Sequence, residues 1–234
     1  MDLLFKTGCA SAAIAALLAC STDSPSRDAV PPTAVEVAAP TGRYQLDPTH
    51  ASLLVRATHF GLSHYTIRVT RFDATLDFDT NQPELSAISA VVDMQSIQTN
   101  HPIAGVDFDA ALRSPEWLDT QANPQATFRS TEAIRTGVNT ARVAGDLTLR
   151  GVTQPVALDV TFNRAFAHHP YRANGPALLG FSARGVISRS AFGMTNFLPS
   201  EEFPVAVEDE LEVIIEAEFN RPYPAQRGSD TGGT

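Results

Sequence analysis

Lysine is nearly absent from this 234-residue chain: Lys6 is the only one, and every other basic residue is arginine. No cluster of arginines accompanies that bias, and the formal charge is −9. An acidic chain repels phosphate backbones, so nucleic acid is not an expected partner. Cysteine is as scarce, with only Cys9 and Cys20. The histidines His50, His59, His64 and His101, and the pair His168-His169, have no spacing that converges three or four ligands, so no metal site is expected. A G-x-S-x-G elbow, a phosphate-binding P-loop and an H-E-x-x-H helix are all missing. Glu201-Glu202 and Glu208-Asp209-Glu210 flank a proline-containing loop and a strand start, where a solvated edge is expected rather than paired catalytic acids. Arg56, Arg113 and Arg129 could meet a phosphate, but ordinary surface arginines account for them better. An enzyme is therefore not expected.

No apolar run is long enough to span about 30 Å of hydrocarbon as a helix. The longest, Thr7 to Ala19, follows Lys6 and has the form of a signal peptide over residues 1–19. It ends in Leu17-Leu18-Ala19-Cys20, which resembles the bacterial lipobox. That resemblance implies cleavage before Cys20, lipidation of its thiol and attachment to a membrane. Cys20 would then be the only cysteine of the mature protein, and a lone thiol in an oxidising compartment is unusual unless it is used. An exported lipoprotein follows. In a Gram-negative host, Ser21 directs it to the periplasmic face of the outer membrane; otherwise it is anchored at the cell surface. Residues 20–41 are rich in Ser, Pro, Ala and Thr and have the composition of a flexible tether, and residues 221–234 have the composition of a tail.

Residues 42–220 have a different texture. Apolar residues alternate with polar ones, as in strands that bury one face. Phe72, Ala74, Leu76 and Phe78 alternate with Asp73, Thr75 and Asp77; Val156 to Phe162 and Leu211 to Phe219 do the same. Weaker alternation runs through Leu53–His59, Leu85–Met94, Ala126–Glu132, Val143–Leu149 and Leu179–Arg189. The total is about eight strands, with Arg150-Gly151 the sharpest hairpin turn. Pro102 to Leu118 breaks the pattern and predicts a helical insertion between the third and fourth strands. Val106, Ala110 and Leu112 share a face there, and Ser114 caps a second short helix or single turn. The fold class is all-β. Antiparallel strands with one greasy face each can form a sandwich or a closed barrel, and closure removes exposed edges.

From about Gly42 to Phe219 the chain resembles the YceI family of secreted, lipocalin-like barrels. Tyr44-Gln45-Leu46-Asp47 with His50, His59-Phe60-Gly61-Leu62-Ser63, Ser96-Ile97-Gln98-Thr99-Asn100 and Leu112-Arg113-Ser114 with Trp117-Leu118 carry the likeness. So do Asn123 to Thr131, Gly145 to Val156, Gly180-Phe181 and Arg189 to Met194. Their order and spacing are more specific than any one piece. Ile67, Val69 and the apolar stretch Pro102 to Asp109 depart from the family pattern, and the ligand's entrance is expected near them.

The resemblance implies an elongated cavity for an isoprenoid-type amphiphile. Strand parity assigns Val55, Phe72, Phe78, Val91, Phe128, Leu147, Val160, Phe181 and Ile215 to its wall, with Leu112 and Trp117 from the insertion. His50, His59 and Arg113 are candidate contacts for a polar head group. Each buried methylene contributes about 0.8 kcal/mol, so a few isoprene units supply ample gross binding energy. No cofactor is expected beyond a bound polyprenyl or quinone-like lipid, and a homodimer is compatible with the pattern. The alternative is a filled barrel that acts as a structural or adaptor lipoprotein through a protein partner.

Overall fold

The computed structural model describes residues 37–172 and 174–221. The expected signal peptide, Cys20, most of the expected tether and residues 222–234 lie outside the described residues. The strands are β1 (Gly42–His59), β2 (Ser63–Val69), β3 (Phe72–Phe78), β4 (Ala87–Asp93), β5 (Ile97–Gln98), β6 (Gln125–Arg135), β7 (Thr140–Leu149), β8 (Val152–Phe166), β9 (Ala177–Ser188) and β10 (Val207–Arg221). Among the described residues a single α-helix, α1 (Phe108–Arg113), lies between β5 and β6. Every pairing is antiparallel, and β10 returns to β1, which closes the sheet. The first half of β1 pairs with β3 and the second half with β2, so these two short strands form one bent stave. Eight staves result, and a closed antiparallel barrel of that size has room inside for side chains or one small ligand.

The turns follow from local chemistry. Arg150 and Gly151 both have positive φ, 53° and 74°, which is the two-residue hairpin geometry that matches strand twist. Within β1, residues 47–50 bulge against Glu218, because Leu46 pairs with Phe219 and Ala51 with Ala217. Asp47 holds this bulge by accepting from the Thr49 amide and hydroxyl at 2.9 and 2.6 Å. The bulge resets the parity, so Tyr44 and Leu46 before it and Leu53 and Ala57 after it are all buried. Arg43 with Asp77, Arg142 with Asp159 and Arg184 with Glu212 pair across strands on the outer face.

The insertion is less helical than Pro102 to Leu118 predicts. Asp107 caps the six-residue α1 by accepting from the Ala110 amide at 2.8 Å. Val106 and Ala110 are exposed, and the buried face is Phe108 with Leu112, four residues apart. Ser114 ends α1, and of the second short helix or single turn expected after it the chain forms the single turn, the Ser114 carbonyl accepting from the Trp117 amide. Two boundaries also shift. Ala39, expected in the tether, is 4% exposed and packs in the core, and Arg221, expected in the tail, ends β10 and donates to the Thr41 carbonyl at 2.9 Å.

The two barrel ends differ. At the end carrying the β7–β8 turn and the insertion, Met94, Leu149, Phe192 and Met194 make a buried plug. Beneath it, Arg189 is 2% exposed and donates to the carbonyls of Glu208, Met194, Asn196 and Val207. Four of the five guanidinium N–H groups thus meet backbone oxygens, and one side chain ties the chain after β9 to the start of β10. Asp209 completes the knot, accepting from Ser188 and from the amide and hydroxyl of Ser190. At the opposite end, the β3–β4 connection and the β6–β7 hairpin surround an opening.

Candidate ligand cavity

The barrel interior is hollow, with a cavity of about 370 Å³. That volume lies within the range of small-molecule sites. Alternate residues of the eight staves point into it. Val55, Phe72, Phe78, Phe128, Leu147, Val160, Phe181 and Ile215 line it as parity assigns them. Leu46, Ala74, Ala90, Val92 and Ala217 also line it, and their small or branched side chains leave the space open. Phe181 packs edge-on against Phe78 and Phe219 and tilts against Phe162, with ring centroids 5.6–6.4 Å apart, so the aromatic rings stack into one wall instead of crossing the lumen. Gly145 matters for the same reason. A Cβ there would strike the Phe128 ring, so glycine lets that ring lie flat on β7.

Several expected contacts lie elsewhere. Val91 is 41% exposed and faces outward between Asp73 and Thr127, while Ile88, Ala90 and Val92 hold the inner face of β4. Two adjacent valines made the parity of this strand ambiguous, and Ser89 on the Val91 face was the signal for the correct choice. Leu112 is buried behind the cavity wall, packed with Ile97 against Leu53 and Val69, which do line the cavity, and Trp117 packs beside that cluster and stacks on Phe197 at 6.1 Å. Both belong to the closed end. No residue between Met94 and Ala126 lines the cavity, so the insertion packs behind the closed end and is not the entrance.

The three head-group candidates also fall outside. His50 sits in the β1 bulge on the outer surface, 2.9 Å from Asp47 and 4.0 Å from Glu218. The Asp47 hydrogen bond, then the charges of Asp47 and Glu218, raise the His50 pKa above its ordinary value. Burial works to raise the Asp47 pKa, but donation from Thr49 and His50 outweighs it and the net shift is downward. One ligand atom each from Asp47, His50 and Glu218 lies within 4.8 Å of the others, a convergence that the sequence spacing did not suggest. His50 and Glu218 are exposed. His59 ends β1 on the surface against Phe60, and Arg113 lies 4.0 Å from Asp107 on α1.

The polar groups that do reach the cavity come from the open end: Ser86, Ser130, Arg135, Asn139 and Thr140. Arg135 is the one charged residue on the wall among the described residues. It escaped notice in the sequence because β6 carries a register shift between Ser130 and Glu132, which moves Ala133 and Arg135 onto the inner face. A simple alternation continued from Phe128 would have put Arg135 outside.

The YceI-like domain model matches residues 44–219. A UPF0312 protein of Pectobacterium atrosepticum is 32% identical over 174 residues, covering 74% of this chain and 84% of that protein. A UPF0312 protein of Serratia proteamaculans is 34% identical over 175 residues, with the same coverage of each chain. Among solved structures, Burkholderia cenocepacia BcnA superimposes with a TM-score of 0.59 at 22% identity, covering 74% of this chain and 98% of that one. A polyisoprenoid binding domain from Saccharophagus degradans superimposes with a TM-score of 0.52 at 14% identity, covering 76% and 98%. At those identities the structural matches speak for the fold. With the family model covering every barrel stave and relatives above 30% identity over most of their length, the chain belongs to the YceI-like domain family.

Proposed function

We propose that this barrel binds an isoprenoid-type amphiphilic lipid and carries or sequesters it, with no covalent chemistry of its own. The observation that carries this is the hollow interior with an almost wholly apolar wall. Such a wall has no means of holding a polar metabolite, but it gains about 25 cal/mol for each Å² of apolar ligand surface removed from water. The solved domain described as polyisoprenoid binding has the same fold, which supports the choice of ligand class. Among the described residues the wall offers no histidine to activate Ser86, Ser130 or Thr140, and His50 is engaged by Asp47 and Thr49 outside the barrel. That arrangement supports binding over catalysis. The filled-barrel adaptor has no observation in its favour.

An exported protein tethered through lipidated Cys20 suits this role, because the cargo is itself membrane-soluble. In a Gram-negative host the tether places the barrel at the periplasmic face of the outer membrane. The test is to purify the full chain from its host, extract it with organic solvent and identify released molecules by mass spectrometry. Titration with polyprenyl and quinone probes follows. Co-purification of a prenyl lipid, or saturable probe binding, is the expected result. A protein that yields no apolar molecule and binds no probe would overturn the proposal.

A further inference from the structure

The wall of the barrel splits at its open end. Strands β4 and β6 pair from Asp93↔Gln125 to Ser89↔Arg129, and the ladder stops there. Beyond that point β6 runs on to Arg135, and the facing segment is the turn Pro83–Leu85 instead of a strand. The split is not sealed by backbone. Across it the Ser130 hydroxyl takes the Ile88 amide at 2.9 Å; beside it, within the β3–β4 connection, the Ser86 hydroxyl takes the Asp79 amide at 2.9 Å. Each hydroxyl oxygen is used as an acceptor, and its proton is left to donate elsewhere. Arg135 lies across the same split, its side chain 27% exposed, with one guanidinium nitrogen 3.6 Å from Glu84. Ser86, Ser130 and Arg135 all line the cavity.

We propose that this split is a head-group seat: Arg135, Ser86 and Ser130 donate hydrogen bonds to an oxygen acceptor at the polar end of the bound lipid. The proposal rests on the lipid-binding function above and adds the direction and chemistry of loading. The far end of the cavity is lined by Met94, Ala126, Leu149 and Ile187, and it offers a polar group no partner. A carbonyl or anion driven there would lose its hydration uncompensated. The apolar tail therefore goes in first, and the oxygen-bearing end stops where the only donors are. Glu84 sets the discrimination among acceptors. It already occupies part of Arg135, so an anionic head must compete with it, whereas a neutral carbonyl or a hydroxyl oxygen needs only a free N–H.

The experiment titrates the full chain with three probes: squalene, which has no head; a short-tailed ubiquinone, with neutral carbonyls; and geranylgeranyl phosphate, with an anionic head. The variants are Arg135→Met, which keeps length and removes the donors, and Glu84→Gln, an exposed change that removes the competitor. Arg135→Met is expected to weaken the headed probes about ten- to a hundredfold and leave squalene within about twofold. Glu84→Gln is expected to tighten the phosphate probe and to leave squalene unchanged, with a smaller gain for the quinone. A preference of the unaltered protein for quinone over phosphate, or the reverse, tells which source of oxygen the seat takes. Equal affinities of Arg135→Met and the unaltered protein for every probe would overturn the seat while leaving lipid binding intact. Parallel loss of squalene and the headed probes would overturn it too. Failure of all probes on the unaltered protein would overturn both proposals together.

Discussion

Replacing Ala90 with phenylalanine puts the hollow interior to a test of sign. Ala90 sits at mid-barrel on β4, between Ala74 of β3 and Phe128 of β6, and lines the cavity. In a tightly packed core the added ring forces neighbours out of their rotamers and costs about 1–3 kcal/mol. Here the ring has an empty volume of about 370 Å³ to enter. A phenyl group moved fully from water into apolar surroundings contributes about 1.5–3 kcal/mol. With about 2–4 °C per kcal/mol for a domain of this size, the melting temperature of ligand-free Ala90→Phe should hold or rise by up to roughly 10 °C. Binding should move the other way. If the ring displaces one isoprene unit, five carbons at about 0.8 kcal/mol each amount to about 4 kcal/mol, close to a thousandfold in affinity. Ser89→Phe is the control, because Ser89 faces outward between Thr75 and Arg129 and its ring would displace nothing inside. The assays are thermal unfolding by circular dichroism after delipidation, and titration with a polyprenyl probe. A clear fall in melting temperature for Ala90→Phe with unchanged probe affinity would refute the cavity.

Three further outcomes follow from the same geometry. Val92→Thr should cost about 1–3 kcal/mol by placing a hydroxyl against an apolar wall, while Val91→Thr should stay within about 0.5 kcal/mol; urea unfolding of the two variants separates the faces of β4. Arg189→Met strands four backbone carbonyls that now share one guanidinium, and should cost about 3–5 kcal/mol, or about 6–20 °C in melting temperature; a loss under about 1 kcal/mol would mean that water replaces the side chain. The raised pKa of His50 gives a stabilising contribution that is complete below the unfolded value of about 6.5 and fades as the pH climbs through the higher folded value. His50→Gln should therefore melt below the unaltered protein near about pH 6, and the gap should close near about pH 9; a gap that widens with pH would contradict the Asp47–His50 pair.

Much of the barrel could be read from the sequence, and the reason is periodic burial. Strands such as Phe72–Phe78 alternate cleanly because one face meets the cavity and the other meets water, so side-chain type reports position. The eight inward residues that parity places all sit on stretches of this kind, clear of the bulge in β1 and the register shift in β6. The Arg150-Gly151 turn could be read for a different reason, since its backbone needs two successive positive φ values. What could not be read depends on events that alternation does not record. The register shift at Ser130 turns Arg135 inward, and the bulge at residues 47–50 turns His50 outward while keeping the strand that carries it in the barrel. Arg189 is invisible for a related reason: four carbonyls from β10 and the segment before it converge on it only after the chain has folded.

The same asymmetry bears on how the barrel could work. A closed antiparallel sheet satisfies its own backbone everywhere, so the interior can stay empty without leaving hydrogen bonds unmade. At the floor, beyond the sheet, the buried Arg189 holds four carbonyls at once and the Met94–Phe192 plug seals the end. The sheet does not satisfy itself at the β4–β6 split, where the Ser130 hydroxyl stands in for a missing ladder bond. Backbone bonds taken over by side chains are easier to exchange than a ladder, because releasing one hydroxyl frees one amide and leaves neighbouring pairs intact. Local opening is therefore cheapest at the one place where polar donors and the cavity meet. Amide hydrogen exchange should find Ile88 and Asp79 exchanging faster than Val213 and Ile215, whose strand is paired on both sides by β1 and β9. Bound lipid should slow the first pair far more than the second. Equal protection of all four amides, with and without lipid, would mean that the split is as rigid as the rest of the wall and that the lipid reaches the cavity by another route.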